Sequence, residues 1–403
     1  MSDSNYNVNQ AWIDHAGKLK PVEEAHRGSA EVSCAQDTAR AVAPLLVINT
    51  RMASIEKNKG IARVEKWRLQ SVARELLPGH RVGKCYRVMI KKVVSVFRSN
   101  ESKKSFYGGL CVCGSIWACP VCASKISEKR RVELEKVDTK KYFMFMVTIT
   151  IQHNKNDDLQ NLFTGLVESW RSVKSGRWWQ DFKKENQIVG SIQGLEVTYG
   201  LGSGWHPHKH IIFFSELPIL DLEKIKNDLY KQYAKKLDTF GLYASASHGL
   251  DVVVVDKGNA NYAAKFCKWG AIHEITKSIV KKGKSNKNEF RYQPFDLLGS
   301  DNWEVKKRFV EYVRVFKGCK QLVYSLGLRA KLGLGVVASD LELAEHQDEK
   351  SYLLATLSPL DWQIIKELGK RAEVLEVANY GDLNLLNIYL VGLGCPRGGE
   401  SNE

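Results

Sequence analysis

The pattern of apolar and polar positions predicts strands and helices interspersed through the middle of the chain. The run from Phe143 to Ile151 is dense in β-branched and aromatic residues, which favour strands. Shorter apolar or alternating runs predict further strands at Arg87 to Phe97, Ile188 to Tyr199, Trp205 to Phe214 and Leu250 to Val255. Helices are predicted near Ala123 to Val137, which is basic and amphipathic, and near Leu159 to Lys174 and Leu222 to Leu237. Strands alternating with helices, with a hairpin among them, predict an α+β fold with helices packed on a central antiparallel sheet.

The same pattern divides the chain into four regions. Residues 1–60 lack sustained periodicity, so we expect a partly disordered N-terminal extension. Residues 61–135 hold a group of cysteines, and residues 136–335 hold the predicted sheet and its helices. Residues 336–403 predict an acidic, mostly helical C-terminal region that is separable from the rest.

Charge adds a class of partner to this picture. The 403 residues include 60 Lys and Arg against 45 Asp and Glu, a formal charge of +15. Residues 1–60 hold seven basic and seven acidic side chains and residues 340–403 hold five and twelve, so the excess lies in the middle. A local concentration of basic residues is interleaved with aromatic ones, at Lys281, Lys282, Lys284, Lys287 and Arg291. Such a surface favours binding to nucleic acid, although a plain solvated loop is the alternative.

No stretch approaches the roughly 18 apolar residues of a membrane span. The N-terminus, with Asp3 and Asp14, has no signal-peptide pattern. We therefore expect a cytoplasmic protein without a membrane partner.

In a reducing compartment, the nine cysteines favour a metal site over disulfides. Cys119 and Cys122 have the spacing of a zinc knuckle, and Cys113 adds a third thiolate. The fourth ligand is either Cys85 or Cys111; Cys85 is favoured because closed sites usually join distant segments and the gap between Cys111 and Cys113 is short. A redox dithiol is the competing interpretation of Cys119 and Cys122, but it does not explain the companion cysteines.

A second metal site is predicted on a strand. Because side chains alternate between the faces of a strand, His206, His208 and His210 project from one face. A hairpin symmetric about Gly202 would pair Glu196 with His208, which makes Glu196 the predicted third ligand of a divalent cation. Histidines held only by hydrogen bonds are the alternative, disfavoured because a clustered set would repel itself on protonation.

After the strand that ends at Val255, residues 259–269 predict a helix with Tyr262 and Lys265 on one face. A tyrosine beside a metal-bound phosphate can attack it if a cation stabilises the phenolate. Taken alone, such a tyrosine is far more often core or surface filler, and only the histidine strand makes it a candidate nucleophile.

In this order, the Thr148-Ile149-Thr150 strand end, His208-x-His210 and Tyr262-x-x-Lys265 resemble the HUH endonucleases, and within them the rolling-circle replication initiator (Rep) proteins of plasmids and phages. Further stretches resemble the bacterial Rep pattern: Cys113 to Ala123, Leu195 to Thr198, Gly204 to His208, Glu274 to Thr276, Pro294 to Leu298, Gly318 to Leu322 and Ser325 to Leu328. The resemblance extends from about Arg81 to Gly335.

The resemblance implies an HUH nickase domain over residues 136–335, acting on single-stranded or hairpin DNA at a replication origin. Tyr262 would form a 5′-phosphotyrosine and leave a 3′-hydroxyl for a host polymerase, with a host helicase as a further expected partner. His208, His210 and Glu196, with His206 as a further candidate, would bind Mg²⁺ or Mn²⁺, and the cysteines would bind structural Zn²⁺. A second transesterification would then release a circular strand.

Three positions depart from the family pattern. Lys209 stands between the two metal histidines where a hydrophobic residue is usual. Gly258 occupies the place of a glutamate that activates water for termination in some Rep proteins; Asp256 and Glu274 are the substitutes to test. The single tyrosine of the motif disfavours a mechanism with paired tyrosines. Two other classes remain open: a transposase or relaxase with the same catalytic core, and a non-catalytic zinc-dependent DNA-binding protein.

Overall fold

A computed structural model describes residues 63–138, 141–217, 220–255, 276, 284–286, 289–345 and 350–396. The strands are β1 Val94–Ser99, β2 Ser105–Gly108, β3 Phe143–Thr150, β4 Ile188–Gly200, β5 Gly204–Ser215, β6 Leu250–Val254, β7 Lys284–Asn286, β8 Glu289–Tyr292, β9 Leu322–Tyr324 and β10 Ser351–Leu357. The helices are Arg63–Leu76, Pro120–Glu135, Leu159–Val173, Arg177–Glu185, Leu222–Asp238, Asp296–Gly299, Trp303–Val315, Leu328–Lys331, Asp340–Glu345, Pro359–Glu367, Arg371–Ala378 and Leu383–Gly392.

The larger sheet contains seven of these strands in the order β6-β3-β5-β4-β8-β7, with β9 also pairing with β4. Every pair is antiparallel. Helices accompany the sheet, so the predicted α+β class is confirmed. None of the described helices has the length and apolar character needed to cross a membrane.

The two faces of β5 have different surroundings. On one face Phe213 stacks on Phe145 and contacts Trp179 of the helix Arg177–Glu185, which places helices over this side. On the other face Ile212 and Phe214 join a buried apolar cluster with Leu134, Val137, Met144, Met146, Leu322 and Leu328. Side chains alternate along a strand, so His206, His208 and His210 continue this second face beyond the end of its apolar cluster.

Local chemistry fixes where the flanking helices begin. The Asp158 carboxylate accepts a hydrogen bond from the Asn161 backbone N–H and caps the helix Leu159–Val173. Asp221 caps Leu222–Asp238 in the same way, through the Lys224 N–H. Such caps satisfy backbone donors that have no partner within the helix. The predicted helices at Leu159 to Lys174 and Leu222 to Leu237 therefore agree with the structure to within a residue.

The smaller sheet has the order β10-β1-β2 and joins two distant parts of the chain. β10 comes from the C-terminal region and pairs along the whole of β1. The Tyr107 hydroxyl donates to the Arg371 carbonyl, at 2.8 Å, and the Trp362 indole N–H donates to the Arg87 carbonyl, at 3.1 Å. The prediction of a separable tail was therefore wrong, because these strands share one ladder and one set of buried contacts.

The prediction of a strand from Arg87 to Phe97 was only partly right. β1 begins at Val94, and the preceding segment bends with Lys91 and Lys92 exposed. An isolated bridge between Met89 and Leu110 holds that segment, together with backbone hydrogen bonds from Ile90 and Lys91 to the Gly109 carbonyl. The two exposed lysines interrupt the alternation that a half-buried strand requires.

Candidate functional site

Glu196, His208 and His210 meet on one face of the larger sheet. β4 and β5 form a hairpin whose register pairs Glu196 directly with His208, as expected from a turn centred on Gly202. His208 Nε2 and His210 Nε2 each lie 3.2 Å from Glu196 Oε2. One ligand atom from each of the three residues falls within 4.8 Å of the others. The hairpin therefore gathers one carboxylate and two imidazoles around one point.

The outer nitrogens of the two imidazoles are held by oxygen atoms. His210 Nδ1 lies 3.0 Å from Thr148 Oγ1 on β3, and His208 Nδ1 lies 3.3 Å from the His206 carbonyl oxygen. A carbonyl oxygen can only accept, so His208 carries its hydrogen on Nδ1 and turns the lone pair of Nε2 toward Glu196 when neutral. Fixing the outer nitrogen in this way is the usual support for a metal-ligating histidine.

Glu196 is fixed on its other side by Gln293, which follows β8. Gln293 Nε2 donates to Glu196 Oε1 at 3.0 Å, which leaves Oε2 for the histidines. Gln293 is buried and its Oε1 makes no hydrogen bond with any residue that the structure describes. Burial raises the pKa of Glu196, but the positive charge of His208 and His210 when they are protonated, with their hydrogen bonds to the carboxylate, outweighs burial and holds the pKa well below its ordinary range. Glu196 is therefore an ionised carboxylate in a prepared position.

These three residues fit a divalent cation. Donor atoms about 2.1 Å from one ion lie about 3 Å apart when their bonds meet near a right angle. The two nitrogen-to-oxygen distances of 3.2 Å match that spacing. Three protein ligands also leave further coordination positions for other oxygen atoms, as catalytic metal sites require.

His206, the further candidate ligand, is engaged elsewhere. Its Nε2 lies 2.7 Å from Thr150 Oγ1, and its Nδ1 lies 2.9 Å from Arg291 Nη1. An arginine can only donate, so Nδ1 accepts and the hydrogen of the neutral ring is on Nε2. Burial, then His208, lowers the pKa of His206 to about 3, which agrees with a neutral ring. Both nitrogens are thus occupied, and the structure does not bring His206 into the group of ligands.

The four cysteines Cys85, Cys113, Cys119 and Cys122 form a second group of possible metal ligands. Their sulfur atoms lie 3.6 Å apart for Cys85 and Cys122, 3.6 Å for Cys113 and Cys122, and 3.9 Å for Cys85 and Cys119. Thiolates bound tetrahedrally to zinc at about 2.3 Å would be about 3.8 Å apart. All four are buried, whereas Cys111 is half-buried and outside the group.

Neighbouring groups prepare this cluster for a cation. Cys119 caps the helix Pro120–Glu135, and its sulfur accepts from Gln70 Nε2 at 3.2 Å. Burial raises the pKa of Cys119, but donation from the other three thiols lowers it well below its ordinary value. The same contacts, with burial, raise the pKa of Cys85. Without a cation, one thiolate therefore suppresses ionisation of its neighbours, because the negative charges would repel one another. A bound metal would remove this repulsion and allow all four thiols to ionise.

Most of the predicted catalytic and DNA-binding residues lie outside the part of the chain that the structure describes. Tyr262, Lys265, Lys281, Lys282 and Lys287 lie outside the described residues. The backbone of Lys284 is in β7, paired with Arg291 on β8. Of the predicted DNA-binding side chains, only that of Arg291 is therefore described.

Sequence reasoning missed the roles of Thr148, Thr150 and Gln293. The two threonines belong to the strand end that carried the family resemblance. Their spacing of two residues places both on the face of the sheet that carries Glu196, His208 and His210. Gln293 immediately precedes the Pro294 to Leu298 motif, but its contact with Glu196 depends on the pairing of β4 with β8. Nothing local to the sequence indicates that pairing.

Comparison with known proteins finds two relatives from Streptomyces. "Protein rep" of Streptomyces lividans is 32% identical over 134 residues, covering 26% of this chain and 29% of the relative. "Neomycin resistance protein" of Streptomyces cyanogenus is 30% identical over 132 residues, covering 26% of this chain and 30% of the relative. The expected resemblance to Rep proteins is confirmed, although each match spans under a third of the relative's length. No family model and no solved structure matches the chain.

Proposed function

We propose that this protein is a rolling-circle replication initiator that nicks and rejoins one DNA strand through a covalent tyrosine link. The observation that carries the proposal is the group formed by Glu196, His208 and His210, with both outer imidazole nitrogens held by oxygen atoms. The similarity to "Protein rep" supports the replication role. The basic middle of the chain suits a polyanionic substrate.

The chemistry assigned to the chain is a phosphoryl transfer. The Tyr262 oxygen would bond to phosphorus while the bond between phosphorus and the 3′-oxygen breaks, giving a 5′-phosphotyrosine and, after protonation, a 3′-hydroxyl. Lys265 would stabilise the phenolate, whose pKa is otherwise about 10. Mg²⁺ or Mn²⁺ held by Glu196, His208 and His210 would polarise the phosphate and stabilise charge on the leaving oxygen.

The link to tyrosine conserves the energy of the phosphodiester bond. A free 3′-hydroxyl could therefore attack the phosphotyrosine and reseal the strand without a nucleotide cofactor. Before that step, the 3′-hydroxyl produced by nicking would serve a host polymerase as primer, and a host helicase would open the duplex ahead of it. Zn²⁺ bound by the four buried cysteines would hold the N-terminal part of the fold together.

The test is formation of a covalent adduct. The protein is incubated with Mn²⁺ and labelled single-stranded DNA pooled from the replicon that encodes it, and adducts are resolved on a denaturing gel. Wild type should give an adduct that EDTA abolishes. Tyr262→Phe should give none, and Glu196→Gln should reduce the adduct at least about a hundredfold, because it removes the only charged ligand of the group.

Tyr380→Phe is the matched control, since Tyr380 is 38% exposed and follows the helix Arg371–Ala378, which packs on the smaller sheet. It should form as much adduct as wild type. Cleavage without an adduct would indicate a hydrolytic nuclease instead. Binding without cleavage, with the origin present in the pool, would indicate the non-catalytic DNA-binding class.

A further inference from the structure

Arg291 is a cation on the same face of the larger sheet as Glu196, His208 and His210. It lies on β8 opposite Gly200 of β4, which has no side chain. From there its Nη1 reaches His206 on β5, at 2.9 Å. Among the residues that the structure describes, no acidic group pairs with Arg291. A half-buried guanidinium in this state retains N–H donors for another anion.

His206 holds this arginine without neutralising it. Its Nδ1 accepts from Arg291 while its Nε2 donates to Thr150 Oγ1, and the threonine hydroxyl in turn lies 3.3 Å from the Pro207 carbonyl oxygen. His153 stacks on the His206 ring, with the ring centroids 4.8 Å apart. The ring is therefore fixed from two edges and one face, and through it the orientation of Arg291 is fixed as well.

Arg291 on β8 and Gln293 just after it contact neighbouring parts of one surface. Arg291 and Gln293 are two residues apart; the first contacts His206 and the second contacts Glu196. On β5, His206 and His208 are likewise two residues apart, with ring centroids 5.2 Å apart. The cation site and the arginine are thus adjacent positions on one rigid surface, each positioned by a neutral neighbour.

We propose that Arg291 binds the phosphodiester held at the Glu196–His208–His210 site, through the N–H groups that His206 does not occupy, and that His206 is its positioning residue. This inference rests on the proposed function for the identity of the anion. Phosphate oxygens suit a planar guanidinium fork, and a prepositioned arginine stabilises charge that develops during phosphoryl transfer. A neutral histidine is the appropriate support, because a carboxylate in its place would compete with the phosphate.

The experiment separates binding from cleavage by using two backgrounds. In the Tyr262→Phe background, affinity for the replicon-derived single-stranded DNA is measured with Mn²⁺ by fluorescence anisotropy. Arg291→Ala should weaken binding about tenfold or more, and Arg291→Lys should recover part of that loss, because it keeps the charge and loses the fork. In the protein that retains Tyr262, Arg291→Ala should lower the rate of adduct formation with saturating DNA by a larger factor than it lowers the affinity for DNA.

His206→Leu tests the positioning role. It should reproduce most of the effect of Arg291→Ala, and the double variant should be no worse than Arg291→Ala alone, since the two residues act in series. Mn²⁺ affinity, measured by titration without DNA, should remain within about twofold of wild type for all three variants. Arg177→Ala, which removes an exposed arginine from a described helix, is the charge control and should change neither property.

The outcomes distinguish this inference from the proposed function. Equal binding and equal adduct formation by wild type, Arg291→Ala and Arg291→Lys would overturn the inference and leave the nickase standing. Weaker binding by Arg291→Ala, with no adduct from wild type, would support the arginine's role and overturn the nickase. Additive effects of His206→Leu and Arg291→Ala would overturn the positioning role of His206. Loss of Mn²⁺ affinity in the Arg291 variants would show that Arg291 acts through the cation site, and would overturn the inference that it contacts the phosphate directly.

Discussion

Replacing Lys209 with Met should stabilise the protein, most strongly below neutral pH. Lys209 is 6% exposed and lies on the helix-covered face of β5, opposite to the metal ligands. Burial, then the nearby charge of Lys174, lowers its pKa to about 7, while Glu168 offsets this only in part. A buried ammonium disfavours the folded state whenever it must carry its charge.

The size of the effect follows from the pKa difference. An unfolded lysine titrates near 10.4, so the folded pKa of about 7 is about three and a half units lower. Each unit corresponds to about 1.4 kcal/mol, which gives an upper limit on the order of 5 kcal/mol for the penalty at low pH. Between the two pKa values the unfolded state binds more protons, so the stability of wild type should rise with pH through this window. Below pH 7 the penalty is complete and constant.

Urea unfolding of wild type and Lys209→Met at several pH values between 6 and 9, at equal zinc loading, measures this directly. The variant should be more stable at pH 6, and its advantage should shrink by up to about 1.4 kcal/mol for each pH unit above 7. Lys231→Met, at an exposed helical position, is the control and should show no such slope. If Lys209→Met were instead destabilised at pH 6, the lysine would be held by favourable pairing with Glu168 and the burial argument would be refuted.

Two further predictions concern the metal ligands and their supports. Cys85→Ser should lower the zinc content measured after chelator titration and reduce the melting temperature by several degrees, whereas Cys111→Ser should leave both unchanged; the reverse pattern would make Cys111 the fourth ligand. Thr148→Val removes the oxygen that holds His210 Nδ1 at 3.0 Å and should weaken Mn²⁺ binding roughly tenfold, as followed by calorimetry; an unchanged affinity would show that the ring is oriented by packing alone.

The parts of the site that the sequence predicted are those that depend on local geometry. The pairing of Glu196 with His208 follows from the length of one turn and the twofold period of strands, and the observed register agrees with it. The helix caps at Asp158 and Asp221 follow from residue type in the same way. In each case the partners are close in sequence, at most 12 residues apart, so few alternative pairings compete.

The parts that the sequence did not predict depend on contacts between distant segments. Gln293 meets Glu196 across 97 positions, and β10 joins β1 across about 250. No local pattern specifies which edge of a sheet a later strand will occupy, because any amphipathic strand could pair there. The position of His206 was ambiguous for the same reason, since its engagement by Arg291 depends on β8 lying against β4.

The two groups of possible metal ligands differ in the number of ligand atoms that they offer. The cysteine group offers four buried sulfur atoms and therefore a complete tetrahedron, whereas Glu196, His208 and His210 offer three ligands and leave positions for other oxygen atoms. The groups are joined by the helix Pro120–Glu135. Its start is capped by Cys119, and Leu134 near its end packs on the apolar cluster beneath β3 and β5. Those strands carry Thr148, His208 and His210 a few residues farther along, so the helix connects the cysteine group at its start with the apolar cluster beside the Glu196–His208–His210 group at its end.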